Sequence, residues 1–127
     1  MNRRLQKQLD FCTIDIYDRY LITRMNEGIT VTPKHNAVLV ELAETYFKGV
    51  PFGYITHRIN SYSVNPSVYV ETSKIENLAA FAIVAGTTSQ ISTIEIEKLF
   101  LSKPVKQFPL VEEAVAWVED NVASYKL

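Results

Sequence analysis

A chain of 127 residues, 47% of them apolar, has the size of one domain and enough hydrophobic side chain for a single core. Thirteen basic and fourteen acidic residues give a formal net charge of −1, which lacks the basic excess of a nucleic-acid binder. Cys12 is the lone cysteine, which excludes an intrachain disulfide and a cysteine-rich metal site.

Residues 1–10 are charged and polar and read as a loosely ordered lead-in to a single domain spanning 1–127. Arg3, Arg4 and Lys7 are followed by Asp10 rather than by an apolar run, so no secretory leader is expected. Residues 11–17 alternate: Cys12, Ile14 and Ile16 fall on one face, Thr13 and Asp15 on the other. That period of two predicts a half-buried strand with a buried thiol. Asp18-Arg19 makes a turn, and residues 20–25 form a second strand paired with the first as an antiparallel hairpin. Asn26-Glu27-Gly28 breaks the pattern.

Thr32-Pro33 is a helix start, with a hydroxyl to cap it and a proline where the missing N–H costs nothing. Leu39, Leu42, Ala43, Tyr46 and Phe47 then form one apolar stripe, and Lys48-Gly49 with Pro51 stops the helix. Residues 52–59 read as the third strand. Asn65-Pro66 repeats the cap-and-proline signature and predicts a helix over 66–77, with Val68, Thr72, Ile75 and Leu78 on one stripe. Val68, Val70 and Thr72 lower its propensity.

Residues 79–85 are apolar at every position, which predicts a strand buried on both faces inside a parallel sheet. The run is also far too short to span a bilayer. A cytoplasmic protein without a membrane span is expected. Thr87-Thr88-Ser89-Gln90 and Ser92-Thr93-Ile94-Glu95 are overlapping capping boxes for a helix reaching about Ser102. A short strand over 104–108 and a helix carrying Val111, Ala114, Val115, Val118 and Val122 complete the chain. Strands alternating with helices imply parallel crossovers. The predicted fold is therefore α/β: a five-stranded mixed sheet, an N-terminal antiparallel hairpin followed by parallel βαβ units, with four helices.

Several residues in this order resemble a STAS-type domain, the fold of anti-sigma-factor antagonists. More closely they are similar to small stand-alone bacterial STAS-like proteins, often grouped with the CRAL-TRIO lipid-transfer fold. The resemblance rests on Ala82-Ile83-Val84, on Val105-Lys106-Gln107-Phe108, and on Glu112-Glu113-Ala114-Val115-Ala116-Trp117-Val118. It covers roughly residues 11–122. It implies a regulatory, protein-binding role without enzymatic activity or cofactor, or alternatively a carrier or sensor of a small lipid-like or anionic ligand. Anti-sigma-factor antagonists carry a phosphorylatable serine at the start of the helix after their third strand. The corresponding loop here offers Ser61 and Ser63 as phosphoacceptors. It has Asn60 and Tyr62 where those proteins have an aspartate, paired serines and a glycine.

Ligands of parallel α/β sheets bind beyond the carboxyl ends of the strands. Two polar loops lie at that edge, and they supply the candidate surface: Asn60, Ser61, Tyr62, Ser63 and Asn65 from one, Thr87, Thr88 and Ser89 from the other. The competing reading is that Asn65, Thr87 and Ser92 cap helices and the other hydroxyls are solvated. His57 and Arg58 point to opposite faces of their strand, with a surface salt bridge expected for Arg58. His35 has no neighbours at metal-ligand spacing, so no metal site is expected. No nucleophile elbow, phosphate loop or paired His-Glu motif occurs. Glu112 and Glu113 suit the first turn of a helix. Trp117 is expected to be buried against the sheet or in a contact between two copies, which keeps a homodimer open. Tyr54, Tyr62 and Tyr69 belong either to a binding surface or to the core. A protein partner is the first expectation, and its identity is not in the sequence.

Overall fold

The computed structural model describes residues 5–59, 63–85 and 101–126. The strands are β1 (Leu5–Gln8), β2 (Cys12–Ile16), β3 (Tyr20–Met25), β4 (Thr30–Val31), β5 (Phe52–His57), β6 (Ser63–Val64), β7 (Leu78–Val84) and β8 (Val105–Phe108). The helices among the described residues are α1 (Pro33–Tyr46), α2 (Ser67–Ser73) and α3 (Val111–Ser124). The main sheet has six strands in the order β1-β2-β3-β5-β7-β8, and β4 pairs with β6 in a separate two-stranded sheet. β1, β2 and β3 are antiparallel neighbours, as the predicted hairpin requires. β3, β5, β7 and β8 run parallel.

The expected five strands become six because the lead-in is not loose: residues 5–8 form β1. Only Leu5 in that stretch is apolar, so no hydrophobic alternation marks it. Its order comes from backbone pairing to β2, with Leu5 opposite Ile16 and Gln8 opposite Thr13. Polar side chains and a lysine are tolerated because β1 is a sheet edge. It also changes the environment of Asp15. That carboxylate receives the Gln6 Nε2 amide at 2.7 Å and the Arg24 guanidinium at 2.6 Å, and is 2% exposed rather than solvated.

The helix expected over residues 87–102 lies outside the described residues, except that Leu101 and Ser102 are not helical. The third predicted strand ends at His57 rather than residue 59. α2 stops at Ser73 rather than 77. The Thr72 and Ser73 hydroxyls donate back to the Val68 and Tyr69 carbonyls, and Lys74 and Ile75 close with shorter i→i+3 bonds. Such back-bonding, added to the β-branched composition, works against a longer helix. Leu78 accordingly belongs to β7.

The two faces of the sheet are covered differently. Cys12, Ile14, Ile16, Leu21 and Met25 pack against Leu39, Ala43 and Phe47 of the α1 region and Val68 of α2. On the other face Ile22, Ile55, Ala80, Ala82 and Val84 meet Ala114, Val115, Val118 and Val122 of α3. That contact needs Gly53: a Cβ there would sit 1.9 Å from Val118 Cγ1. β7 is buried at all seven positions, as its unbroken apolar run predicts, between β5 and β8.

Candidate functional site

β3, β5, β7 and β8 place their carboxyl ends along one edge, and the chain leaving β5 forms the middle of it. Arg58 donates its backbone N–H to the Val84 carbonyl at 2.8 Å, which continues the β5–β7 pairing one residue past the strand. His57 and Arg58 face opposite ways, as alternation demands. Arg58 is buried, not at the surface as a surface salt bridge would require. It is 8% exposed, and its Nη2 donates to the Tyr69 hydroxyl at 3.2 Å, tying the strand end to α2. On the other face burial, and then the charge of Arg24, lower the His57 pKa below its ordinary value. Its buried Nδ1 has no hydrogen-bond partner among the described residues.

Residues 63–66 are pinned from below. The Ser63 N–H donates to Ile29 O at 3.0 Å and the Asn65 N–H to Val31 O at 2.9 Å, which makes the β4–β6 pair. The Asn65 carboxamide then accepts from the Ser67 N–H at 3.1 Å and the Ser67 hydroxyl at 2.9 Å. The helix start read from Asn65-Pro66 is there, but one position later than expected: the cap position is Pro66, without a side-chain capping bond, and Asn65 holds Ser67 from just outside the helix. α1 begins as predicted, and its cap is reciprocal: Thr32 Oγ1 accepts from the His35 N–H, and His35 Nδ1 accepts from the Thr32 N–H.

Of the candidate surface residues, Ser63 and Asn65 are exposed on this pinned segment. Asn60, Ser61, Tyr62, Thr87, Thr88 and Ser89 lie outside the described residues. Ser63 is a strand residue, four positions before α2 starts. The serine at the helix start is Ser67, which the sequence reading passed over. Its signal was its place directly after Asn65-Pro66. The segment is bracketed in sequence by two exposed apolar side chains, Ile59 at 60% and Val70 at 44%.

Beneath the segment lies a cavity of about 30 Å³, lined by Val31, Tyr54, Arg58, Val64, Tyr69 and Phe81 among others. That is room for roughly one water. Tyr54 stacks on Phe81 with ring centres 4.8 Å apart, and Tyr69 meets Phe81 edge-on at 6.1 Å. Tyr69 is therefore a core residue and Tyr54 a partly buried one packed against the core, neither an exposed recognition surface; Tyr62 lies outside the described residues. Trp117 is half-buried and leans on Phe108, centre to centre 5.6 Å.

Cys12 is fully buried, and burial pushes its thiol up to about 12, so it stays protonated and unreactive at neutral pH. Among the described residues no group of three His, Cys, Asp or Glu side chains is placed to hold a metal ion. No helix among them is long and apolar enough to cross a membrane.

No family model matches the chain, and no curated protein matches it. Among solved structures it is similar to an uncharacterized protein of the DUF3478 family, with a SpoIIAA-like fold, from Shewanella loihica PV-4. The match has a TM-score of 0.58 and covers 93% of this chain and 98% of that one. The fold is SpoIIAA-like. This is the STAS-like fold that β7, β8 and α3 resemble in sequence, and at 15% identity the likeness speaks for fold alone.

Proposed function

We propose that this STAS-like chain is a non-enzymatic, regulatory interaction domain that docks a protein partner on the surface around residues 60–66. The observation that supports it most is the pinned segment itself. Exposed Ser63, Asn65, Pro66 and Ser67 are fixed by the β4–β6 pair and the Asn65–Ser67 hydrogen bonds, with exposed Ile59 and Val70 on either side in sequence. A polar surface with a held backbone and apolar flanks loses little entropy on docking. The carrier reading asks for a cavity of several hundred cubic ångströms. The cavity below this segment offers about 30 Å³.

A phosphate on Ser61, Ser63 or Ser67 would add nearly two negative charges and displace a docked partner. The experiment is capture of the partner from native extract, followed by rebinding to variants. Ile59→Lys with Val70→Lys is expected to lose the partner. Ala at each serine is expected to keep it, and Asp at one of them to release it. Rebinding unchanged in every variant makes the segment a mere connector and ends this reading.

A further inference from the structure

His57 is the last residue of β5, and from it the chain leaves the sheet for the docking segment. The Ile59 N–H donates to the His57 carbonyl at 3.1 Å, a tight turn that sets where exposed Ile59 emerges. Arg58, between them, is held by the Val84 carbonyl and the Tyr69 hydroxyl. The placing of residues 58 and 59 therefore depends on His57 staying in the sheet.

The surroundings of the His57 ring suit a neutral imidazole. Thr23 pairs with Thr56 in the parallel β3–β5 ladder, so the next step puts Arg24 beside His57 on the face that α3 covers. On the other side His57 pairs with Val84, and Val84 with Phe108. α3 buries Ala114, Val115, Val118 and Val122 against this face, while Glu112 and Glu113 are exposed. Lys106 stands on β8, two strands away. Among the described residues the charge facing the ring is thus Arg24, whose counter-ion Asp15 lies one strand further out, at 2.6 Å. The ring's Nδ1 is buried without a hydrogen-bond partner among those residues. In the imidazolium both ring nitrogens are donors, so Nδ1 becomes a buried N–H with no acceptor, beside a second positive charge. Moving the ring into water relieves both costs and releases the end of β5.

We propose that His57 is a pH gate on the docking segment: acid protonates the ring, β5 lets go at His57, and Ile59 leaves its docking position. In the opened form the ring titrates near its ordinary value, about 6.5. In the closed form burial, and then Arg24, lower it. The closed form is therefore fully favoured above the ordinary value and loses ground as pH falls through it. The gate rests on the docking reading for what it controls, and its test uses the protein alone.

Ring NMR of the two histidines and amide exchange, corrected for its intrinsic pH dependence, are followed from about pH 7.5 to about pH 5. Protection of the Arg58 and Ile59 amides is expected to fall by roughly fivefold or more, in step with the titration of His57 and not of His35. Ala82 of β7 and Val118 of α3 are expected to keep theirs. In His57→Gln, which has no ring to charge, protection of Arg58 is expected to stay level. Should that variant misfold, the coincidence of ring titration and opening in the unaltered protein still decides. Protection independent of pH, a fall that tracks His35, an equal fall at Val118, or a fall that survives in His57→Gln overturns the gate. Opening on schedule while a captured partner stays bound over the same pH range leaves the gate standing and ends the docking reading at Ile59.

Discussion

The two faces of the sheet are built to different standards. Under α3 the fit is tight and apolar: Gly53 lets Val118 down onto β5, and Ala80 and Ala82 do the same along β7. Under α1 and α2 the interior holds Thr23, Asn36, Thr56, Arg58 and Thr72 as buried polar groups, together with a water-sized cavity and, outside it, an open groove. Buried polar groups and imperfect packing cost stability. Among the described residues five of the six buried polar side chains lie on this side and Asp15 on the other, which fits the recognition role proposed for the α1–α2 side.

Breaking the centre should matter most. Ile83→Asp places an unpaired charge inside β7 and is expected to cost several kcal/mol. A thermal melt like the parent's would remove β7 from the interior. Gly53→Ala comes next, at about 1–3 kcal/mol from overpacking against Val118. The double variant with Val118→Ala should lose less than the sum of the single variants, since the added methyl then has room. Strict additivity in denaturant melts would deny the close approach of α3. Trp117→Ala should cost about 2 kcal/mol, below the range for a fully buried tryptophan, because the side chain is only partly buried. Native fluorescence at the fully solvated wavelength would contradict its contact with Phe108.

The smallest effect is pH-linked. The folded-state pKa of His57 is lowered, so the folded protein resists a proton that the unfolded chain accepts. Stability is fully present above the unfolded value, about 6.5, and falls as pH drops through it. His57→Gln should flatten that part of the stability profile between about pH 5 and 7. A profile unchanged by the substitution removes His57 as its source.

Much of this contrast was legible in the sequence. The apolar run of β7, the Thr32-Pro33 start of α1 and the valine stripe of α3 are local signals, and each names its element and its buried face. β1 was not legible, because Gln6, Lys7 and Gln8 carry no pattern and the strand exists through its pairing with β2. The β4–β6 pair is two residues long on each side and joins segments more than thirty residues apart, so nothing local announces it. Arg58 reads as a surface cation because a guanidinium rarely sits inside; its burial depends on Tyr69, eleven residues on. For the candidate site, Asn65-Pro66 correctly marked a helix start. The serine at that start is Ser67, two residues after the asparagine that binds it.

The most direct test of the division between the faces is amide hydrogen exchange with and without the captured partner. The account predicts slowed exchange in residues 59–70 and along the facing sides of α1 and α2, with α3 unchanged. Protection appearing on α3, with residues 59–70 unaffected, would contradict it.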